Sequence, residues 1–287
     1  LFHSMLRIAS VAQGMITKGQ PMIRHLPMFL SGLTAGRSLP SVAPQPFRDI
    51  LPTIKQDVPN PKGKIAIFTG CLLDFVYVDI ATDVVKALNM AGYIVEMPLG
   101  QACCGAPATY MGDVENAKKA AEMNLNAMEA EKYDYIVSAC PTCTHALRDY
   151  VDFFKDDPEM LKKAEALRSK TFDFCKLVSM LGGLPDTGDG VPMKVTYHDS
   201  CHLNRYLGVT KEQRELLKAT KGVELIEMHD CDKCCGFGGS YSVKFPEMSA
   251  PILEEKINNI VASGADVVAV DCPGCLLQIR GGLDARG

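Results

Sequence analysis

The chain has 287 residues, 47% of them hydrophobic, and a formal net charge of −4 at pH 7. This length suits two domains of about 100 residues, each with its own core. The small negative charge argues against nucleic acid as a partner, and the longest apolar runs are too short for a direct membrane span. The sequence shows no charged and apolar leader, so we expect a cytoplasmic protein that meets a membrane only through partner subunits.

Residues 1–62 are the first predicted region, and they contain no cysteine. The apolar spacing predicts a short amphipathic helix near residues 5–16, followed by an extended arm. The arm is rich in proline, with Pro40, Pro44, Pro46, Pro52, Pro59 and Pro61. We expect this arm either to dock on a partner or to form a strap across its own chain.

Residues 63–185 predict a first α/β domain. Its predicted strands cover residues 64–69, 93–97 and 135–138, and its predicted helices cover residues 76–90, 114–131, 149–168 and 171–181. The helices have the apolar spacing of amphipathic helices, and the strands are short apolar runs. A glycine- and proline-rich linker at residues 182–192 then separates this domain from the next.

Residues 186–287 repeat the same order of elements. The predicted strands cover residues 194–198, 224–227 and 267–270, and the predicted helices cover residues 210–220 and 247–263. Strands that alternate with helices of this length indicate a mostly parallel sheet. The predicted fold class is therefore α/β, with two similar domains related by internal duplication and an extended N-terminal arm.

Ten of the twelve cysteines form two copies of one pattern. The first thiol set is Cys71, Cys103, Cys104, Cys140 and Cys143, and the second thiol set is Cys201, Cys234, Cys235, Cys272 and Cys275. Each set ends in a C-x-x-C at a predicted strand-to-helix turn, where free N–H groups stabilise thiolates. The adjacent cysteines should lie in loops, because neighbours in a strand point to opposite faces. Gly105 and Gly236 follow them and permit a positive φ and a close approach of the backbone to a cluster.

Three chemistries use this many thiols. Disulfides belong to oxidising compartments and small domains, which does not match this long, hydrophobic chain. Structural zinc takes four ligands, so one thiolate of each set would be left over. An iron-sulfur cluster is favoured by soft thiolates, and five of them suit a cluster of unusual shape.

The remaining candidates lie beside the second thiol set. His198 and His202 flank Cys201 and could donate hydrogen bonds to cluster sulfur, or serve as ordinary structural histidines. Cys231 precedes Cys234 by three residues and is an alternative ligand, a redox-active neighbour or a plain loop thiol. In the first half, His145 is a weaker case of the same kind, and Cys175 is expected to be a small buried apolar residue.

The two cysteine blocks resemble the CCG-domain, or cysteine-rich-domain, iron-sulfur oxidoreductases over residues 64–284. The stretches Gly100–Gly105, Cys234–Gly239, Ser242–Lys244 and Gly282–Asp284 look most like the lactate-utilisation branch, which is similar to glycolate oxidase iron-sulfur subunits and to the heterodisulfide reductase catalytic subunit. The segment Leu26–Phe29 resembles the connector that follows a ferredoxin-like domain in longer relatives.

The resemblance implies that each thiol set holds a noncubane 4Fe-4S cluster, with the two clusters facing each other. In some relatives one site holds zinc or has lost a cysteine, so the resemblance allows zinc or an empty site in one set. It implies as partners a flavoprotein dehydrogenase subunit and further iron-sulfur subunits or domains.

Three functions follow from the sequence. The favoured one is an iron-sulfur electron-transfer subunit of a flavin-dependent 2-hydroxyacid dehydrogenase complex of the lactate or glycolate type, with substrate oxidised on the flavoprotein. This makes the chain an oxidoreductase subunit with no catalytic residue assigned. The first alternative is a heterodisulfide-reductase-type catalytic subunit that cleaves a disulfide at noncubane clusters. The second is a zinc-stapled interaction module without a redox role.

Overall fold

The computed structural model describes residues 13, 22–24, 37–186, 188 and 190–287. The predicted helix near residues 5–16 lies outside the described residues except for Gln13, and so does the segment Leu26–Phe29. Within the described residues, β1 (Met22–Ile23) and β2 (Leu39–Pro40) pair as a short antiparallel sheet, and the chain then forms two parallel sheets, each with helices around it. The α/β prediction is confirmed.

The first sheet has the strand order β4-β3-β5-β6, with all three pairings parallel. Its strands are β3 (Gly63–Ile67), β4 (Tyr93–Glu96), β5 (Tyr135–Ser138) and β6 (Thr171–Asp173). The central strand β3 is an apolar run whose last residues are fully buried, as expected of a parallel strand covered on both faces. The carboxyl ends of β3, β4 and β5 therefore lie along one edge of the sheet.

Eight helices accompany this sheet in the described part of the chain. They are α1 (Phe47–Ile50), α2 (Leu72–Phe75), α3 (Val78–Met90), α4 (Ala106–Tyr110), α5 (Val114–Met128), α6 (Pro141–Asp149) and α7 (Pro158–Lys170), with α8 (Phe174–Met180) following β6. Short 3-10 turns cover Leu51–Thr53, Ala130–Lys132 and Tyr150–Phe153. These counts and bounds refer to the described part of the chain.

The second sheet has the strand order β8-β7-β9 and is also parallel. Its strands are β7 (Met193–His198), β8 (Val223–Leu225) and β9 (Val267–Val270). Its helices are α9 (Glu212–Ala219), α10 (Tyr241–Lys244), α11 (Pro246–Ala262) and α12 (Pro273–Arg286), and a π-helical turn covers His202–Tyr206. The order of these three strands repeats that of β4, β3 and β5, which agrees with internal duplication.

The described arm residues contact both halves. Asp74 in α2 is fully buried and binds Arg48, whose Nε lies 2.7 Å from its Oδ2 and whose backbone N donates at 3.0 Å. At the other end, the backbone N of Ser38 donates to Gly281 O in α12 at 3.1 Å, and the Arg37 side chain binds Gln278. This part of the arm is thus a strap on its own chain, one of the two roles expected for it.

The structure differs from the predicted elements in two places. The predicted helix at residues 149–168 is interrupted: a 3-10 turn ends at Phe153, and α7 begins anew after Asp157, whose carboxylate caps Met160 N at 3.1 Å. Pro158 is the signal that could have shown this, because proline is favoured at the first position of a helix. The predicted helix at residues 171–181 begins three residues late, since Thr171–Asp173 pair with β5 as a fourth strand.

No helix in the described residues is long and apolar enough to cross a membrane.

Candidate metal centre

The first thiol set lies in the loops that leave the carboxyl edge of the first sheet. Cys71 precedes α2, and Cys140 precedes α6 and places Cys143 in the first turn of that helix. Cys103 and Cys104 lie in a loop after β4, as the alternation of strand side chains predicted. Parallel strands bring these three loops together, because all their carboxyl ends meet at one edge.

The second thiol set lies at the equivalent edge of the second sheet. Cys201 follows β7, Cys234 and Cys235 lie in the loop after β8, and Cys272 precedes α12 with Cys275 in its first turn. Each C-x-x-C therefore sits at a strand-to-helix turn, where backbone N–H groups and the helix dipole favour negative charge.

Each thiol interacts with its neighbours in the same set closely enough to shift their pKa values. In the first set the contacts run from Cys71 to Cys103, Cys104, Cys143 and Cys140 in that order. In the second set they run from Cys201 to Cys234, Cys235, Cys275 and Cys272. The contacts follow the same order at equivalent positions, so both sets gather five sulfurs into one small group.

The two sets meet through their C-x-x-C motifs. The thiols of Cys140 and Cys272 lie close enough across the two halves for each to shift the pKa of the other. The hydroxyl of Thr142 lies 3.9 Å from the Cys272 Sγ and reinforces this contact. Consequently the ten thiols form one continuous chain of contacts that passes from the first sheet to the second.

In both sets, the pKa values of the two adjacent cysteines move in opposite directions: the first is lowered and the second is raised. In the first set, the pKa of Cys103 falls to about 3, mainly because of its interaction with Cys104. In the second set, the pKa of Cys234 falls to about 2, mainly because of its interaction with Cys201. Interactions with these two thiolates raise the pKa of Cys104 and Cys235 to about 12 each. Each set therefore stabilises a thiolate, the form of cysteine that binds metal.

Buried side chains hold the Cys103–Cys104 loop, and the sequence provided no signal for them. Asn124 in α5 accepts from Ala102 N at 2.7 Å and donates to Cys103 O at 2.9 Å. The Tyr150 hydroxyl donates to Cys104 O at 2.9 Å. These bonds satisfy loop backbone groups that burial would otherwise leave unpaired.

Different residues hold the Cys234–Cys235 loop. Ser249 in α11 donates to Gly236 O at 2.8 Å, and the buried Lys256 donates from its Nζ to Asp230 O at 2.6 Å. Gly105 and Gly236 both have positive φ, of 82° and 84°. Each glycine lies close to the backbone of a helix. A Cβ added to Gly105 would lie 3.2 Å from Ala117 O in α5, and one added to Gly236 would lie 2.7 Å from Ser249 O in α11.

His198 is brought against the second thiol set. It is the last residue of β7 and is only 1% exposed. One of its ring nitrogens and the Sγ atoms of Cys235 and Cys275 lie within 4.8 Å of one another. Neither ring nitrogen has a partner in good hydrogen-bond geometry within the described part of the chain, and the backbone of Cys231 makes only a weak contact that raises the pKa of His198 slightly. Burial lowers the pKa of His198 to about 4, so its imidazole is neutral at neutral pH.

His202 belongs to a group of rings between the two halves. Its Nε2 is hydrogen-bonded to the Tyr110 hydroxyl at 2.8 Å, and its Nδ1 lies 3.9 Å from Cys201 Sγ. Tyr206 stacks on it with a centroid distance of 5.3 Å, and His145 lies 5.6 Å away. His202 thus contacts the Cys201 thiol of the second set directly, whereas His145 contacts the His202 ring.

Cys231 and Cys175 lie outside both thiol sets. Cys231 is half-buried and its Sγ contacts Asp199 at 3.4 Å and Arg214 at 3.5 Å. Cys175 is half-buried too, and its thiol donates to Asp271 Oδ1 at 3.3 Å. Cys175 is therefore hydrogen-bonded at the contact between the halves, whereas the sequence predicted a simply packed apolar residue.

The donor chemistry of this centre fits a thiolate-bound metal or iron-sulfur group. All twelve cysteines are free, so none of the ten thiols is consumed by a disulfide. The buried imidazole of His198 also lacks the hydrogen bond that such a group normally requires, which leaves a nitrogen donor available. Soft sulfur with one borderline nitrogen suits iron and zinc better than magnesium or calcium.

Comparisons with known proteins match the same two segments. The model of the CCG cysteine-rich domain matches residues 65–148 and 195–280. The chain is 38% identical to lactate utilization protein A of Shouchella clausii over 224 residues, which are 78% of this chain and 92% of that protein. It is 37% identical to lactate utilization protein A of Bacillus subtilis over 224 residues, with coverage of 78% and 93%.

A crystal structure of a hypothetical protein from Helicobacter pylori has a similar fold, with a TM-score of 0.54 and 10% sequence identity. The match covers 83% of this chain and 48% of that one, so the chain spans about half the length of the solved structure. This likeness concerns the fold alone.

Proposed function

This chain belongs to the CCG cysteine-rich domain family, and from that premise we propose that it is an iron-sulfur electron-transfer subunit of a flavin-dependent 2-hydroxyacid dehydrogenase complex. Similar proteins are named for lactate utilization, so lactate is the substrate class that we propose for the complex. The substrate is oxidised on a partner flavoprotein, and this chain carries the electrons onward.

The continuous chain of ten thiols is the observation that carries the proposal. Each thiol set would hold one 4Fe-4S cluster of the noncubane kind through its five cysteines. Such clusters would supply one-electron redox chemistry. The protein contributes soft ligands, the helix N-terminal turns that favour negative charge, and loops held by buried hydrogen bonds. The contact between Cys140 and Cys272 places the two sets side by side, which suits transfer from one to the other.

Metal and sulfide content test the proposal. Anaerobically purified protein is expected to contain about four irons and four labile sulfides for each filled set. Cys104→Ser and Cys235→Ser should each remove the iron of one set, about half of the total. Cys175→Ser is the matched control and should remove none, because Cys175 contacts Asp271 and not the thiol sets. Zinc in both sets, or no metal, would overturn the proposal.

The partner is tested separately. The full chain, purified with its native complex from cells that use lactate, should contain flavin, and lactate should bleach the iron-sulfur absorption. The Cys104→Ser and Cys235→Ser variants should be bleached to a smaller extent. If the chain contains iron but no lactate-oxidising flavoprotein reduces it, the iron sites are supported and the dehydrogenase complex is refuted.

A second candidate function is favoured by the contact between the two sets. Two adjacent metal sites could each deliver one electron to a disulfide, which takes up two electrons and two protons and yields two thiols. The test supplies the isolated, iron-loaded chain with a reduced viologen dye and a mixed disulfide. Stoichiometric release of both thiols would favour this function over electron transfer to a carrier.

A further inference from the structure

His198 is a buried polar side chain without a partner. It is 1% exposed, and both ring nitrogens lack a hydrogen-bond partner among the described residues. An unsatisfied buried polar group destabilises the folded state, so an imidazole in this position needs a compensating interaction. Side chains alternate along β7, and Tyr197 points to the opposite face, where its hydroxyl binds Asp271. The ring of His198 is therefore directed away from Asp271 and lies beside Cys235 and Cys275 at the carboxyl edge of the sheet.

Two cysteines lie beside this ring. A nitrogen of His198 and the sulfurs of Cys235 and Cys275 are mutually within 4.8 Å, and all three side chains are buried. Separations of this size let one metal atom reach all three donors, since metal–sulfur and metal–nitrogen bonds are about 2.3 Å and 2.0 Å long. The orphaned nitrogen therefore faces a position where a metal atom would satisfy it.

The first half has a different residue at the same place. His198 precedes Cys201 by three residues, and Phe68 precedes Cys71 by three. Phe68 is fully buried and packs in the cluster that contains Cys104 and Cys143, which are the counterparts of Cys235 and Cys275. The duplicated site thus has an apolar ring in one half and a nitrogen donor in the other.

Resting on the proposed function, in which each thiol set holds metal, we propose that His198 is a nitrogen ligand of the metal in the second thiol set, beside Cys235 and Cys275. The ligand class is a first-row metal that accepts mixed thiolate and imidazole donors, either an iron of a cluster or a zinc ion. A neutral imidazole places less negative charge on the metal than a thiolate does.

Isotope labelling tests the ligand in the unmodified protein, so the test does not depend on whether a variant folds. The full chain is purified anaerobically with natural or ¹⁵N-labelled histidine, reduced with dithionite, and measured by pulsed electron paramagnetic resonance. X-ray absorption at the iron and zinc edges gives the first coordination shell of each metal. The expected result is one directly bound histidine nitrogen in addition to sulfur.

Reciprocal variants locate that nitrogen. His198→Phe copies the first half and should remove the nitrogen signal while the first set keeps its metal. Phe68→His should add a second nitrogen, because its ring packs beside Cys104 and Cys143. His202→Phe is the nearby control and should keep the signal, since its nitrogens lie near Tyr110 and Cys201. Loss of the signal in His202→Phe but not in His198→Phe would overturn the assignment.

The outcomes separate this inference from the proposed function. Iron-sulfur clusters in both sets with only sulfur ligands would refute the role of His198 and leave the electron-transfer proposal intact. Zinc with a bound histidine nitrogen in the second set would support the role of His198 and refute the two-cluster proposal. Protein without any metal would refute both.

Discussion

The first thiol set packs against the apolar ring of Phe68, whereas the second faces the orphaned imidazole of His198. Exposure differs as well: Cys234 is exposed, and its counterpart Cys103 is half-buried. The loops are also held by unlike side chains, Asn124 in the first half and Ser249 in the second. Duplication has therefore preserved the sulfur positions while the residues around them have diverged.

This divergence indicates which properties each half controls. Five thiols at equivalent positions define the donor type, and they are the same in both halves. The stability of the loops, the access of solvent and the polarity beside the thiols depend on neighbours that differ. We therefore expect substitutions at equivalent positions to have unequal effects, and four experiments test this.

The largest effect is expected at the residue three positions after the first cysteine of each set. Asp74→Ala removes a fully buried carboxylate that binds Arg48 of the strap. Loss of one partner of a buried ion pair should lower the free energy of unfolding by about 3 kcal/mol. Asn204, the equivalent residue of the second half, is only partly buried, so Asn204→Ala should cost about 0.5 kcal/mol. Urea unfolding followed by circular dichroism measures both, and equal losses would contradict the comparison.

The loop-holding residues should give the next largest difference. Asn124→Leu leaves Ala102 N and Cys103 O without their partner and should cost about 3 kcal/mol. Ser249→Ala removes the bond donated to Gly236 O and the bond accepted from Gln278 Nε2, and should cost about 1.5 kcal/mol. The same unfolding experiment compares them, and iron analysis should show that each variant loses metal from its own set first. A larger loss in Ser249→Ala would show that the second loop is the more tightly held one.

Substitution of the residue before the first cysteine should destabilise the first half and leave the second nearly unchanged. Gly70 has φ of 58°, and a Cβ there would lie 2.9 Å from Cys143 Sγ. Gly70→Ala should therefore cost about 1–2 kcal/mol and displace a thiol of the first set. Ser200→Ala is the counterpart and should be close to neutral, because the buried Ser200 hydroxyl has no partner within the described residues. Iron retention during gel filtration measures the outcome, and unchanged retention in Gly70→Ala would contradict this expectation.

The smallest effect concerns thiol reactivity in metal-free protein. The pKa of Cys103 is about 3 and that of Cys234 about 2, so both stay thiolates between pH 8 and pH 5. Their iodoacetamide labelling should change little over this range, while a thiol with the ordinary pKa of 9.0 slows about tenfold per unit. Cys234 should label faster than Cys103 because it is exposed.

Cys231 is the control for this labelling, because its pKa is raised by burial and by Asp199. Its labelling should fall steeply as the pH is lowered. Peptide mass spectrometry resolves the three sites, and a parallel decline at Cys234 and Cys231 would mean that the neighbouring thiols do not stabilise a thiolate.

Much of the fold was predictable because its strands and helices are local patterns. The strands β3, β5, β7 and β9 and the helices α3 and α11 agree with the predicted segments to within about two residues, since hydrophobic periodicity defines them. Strand β6 was missed because three residues carry no periodic signal and exist only through pairing with β5. Alignment of the two cysteine blocks could have revealed the pairing of Phe68 with His198, but no pattern marks Asn124 or Tyr150.

The sequence alone determined the thiol inventory of this protein: ten thiols in two equal sets, C-x-x-C motifs at helix starts, and adjacent cysteines in loops before glycine. These are consequences of residue type and local backbone geometry. Only the tertiary structure decided that Cys140 meets Cys272, that His198 faces Cys235 and Cys275, and that the arm binds both halves. Such contacts join residues far apart in the chain, and they depend on how whole sheets and helices pack rather than on any local preference.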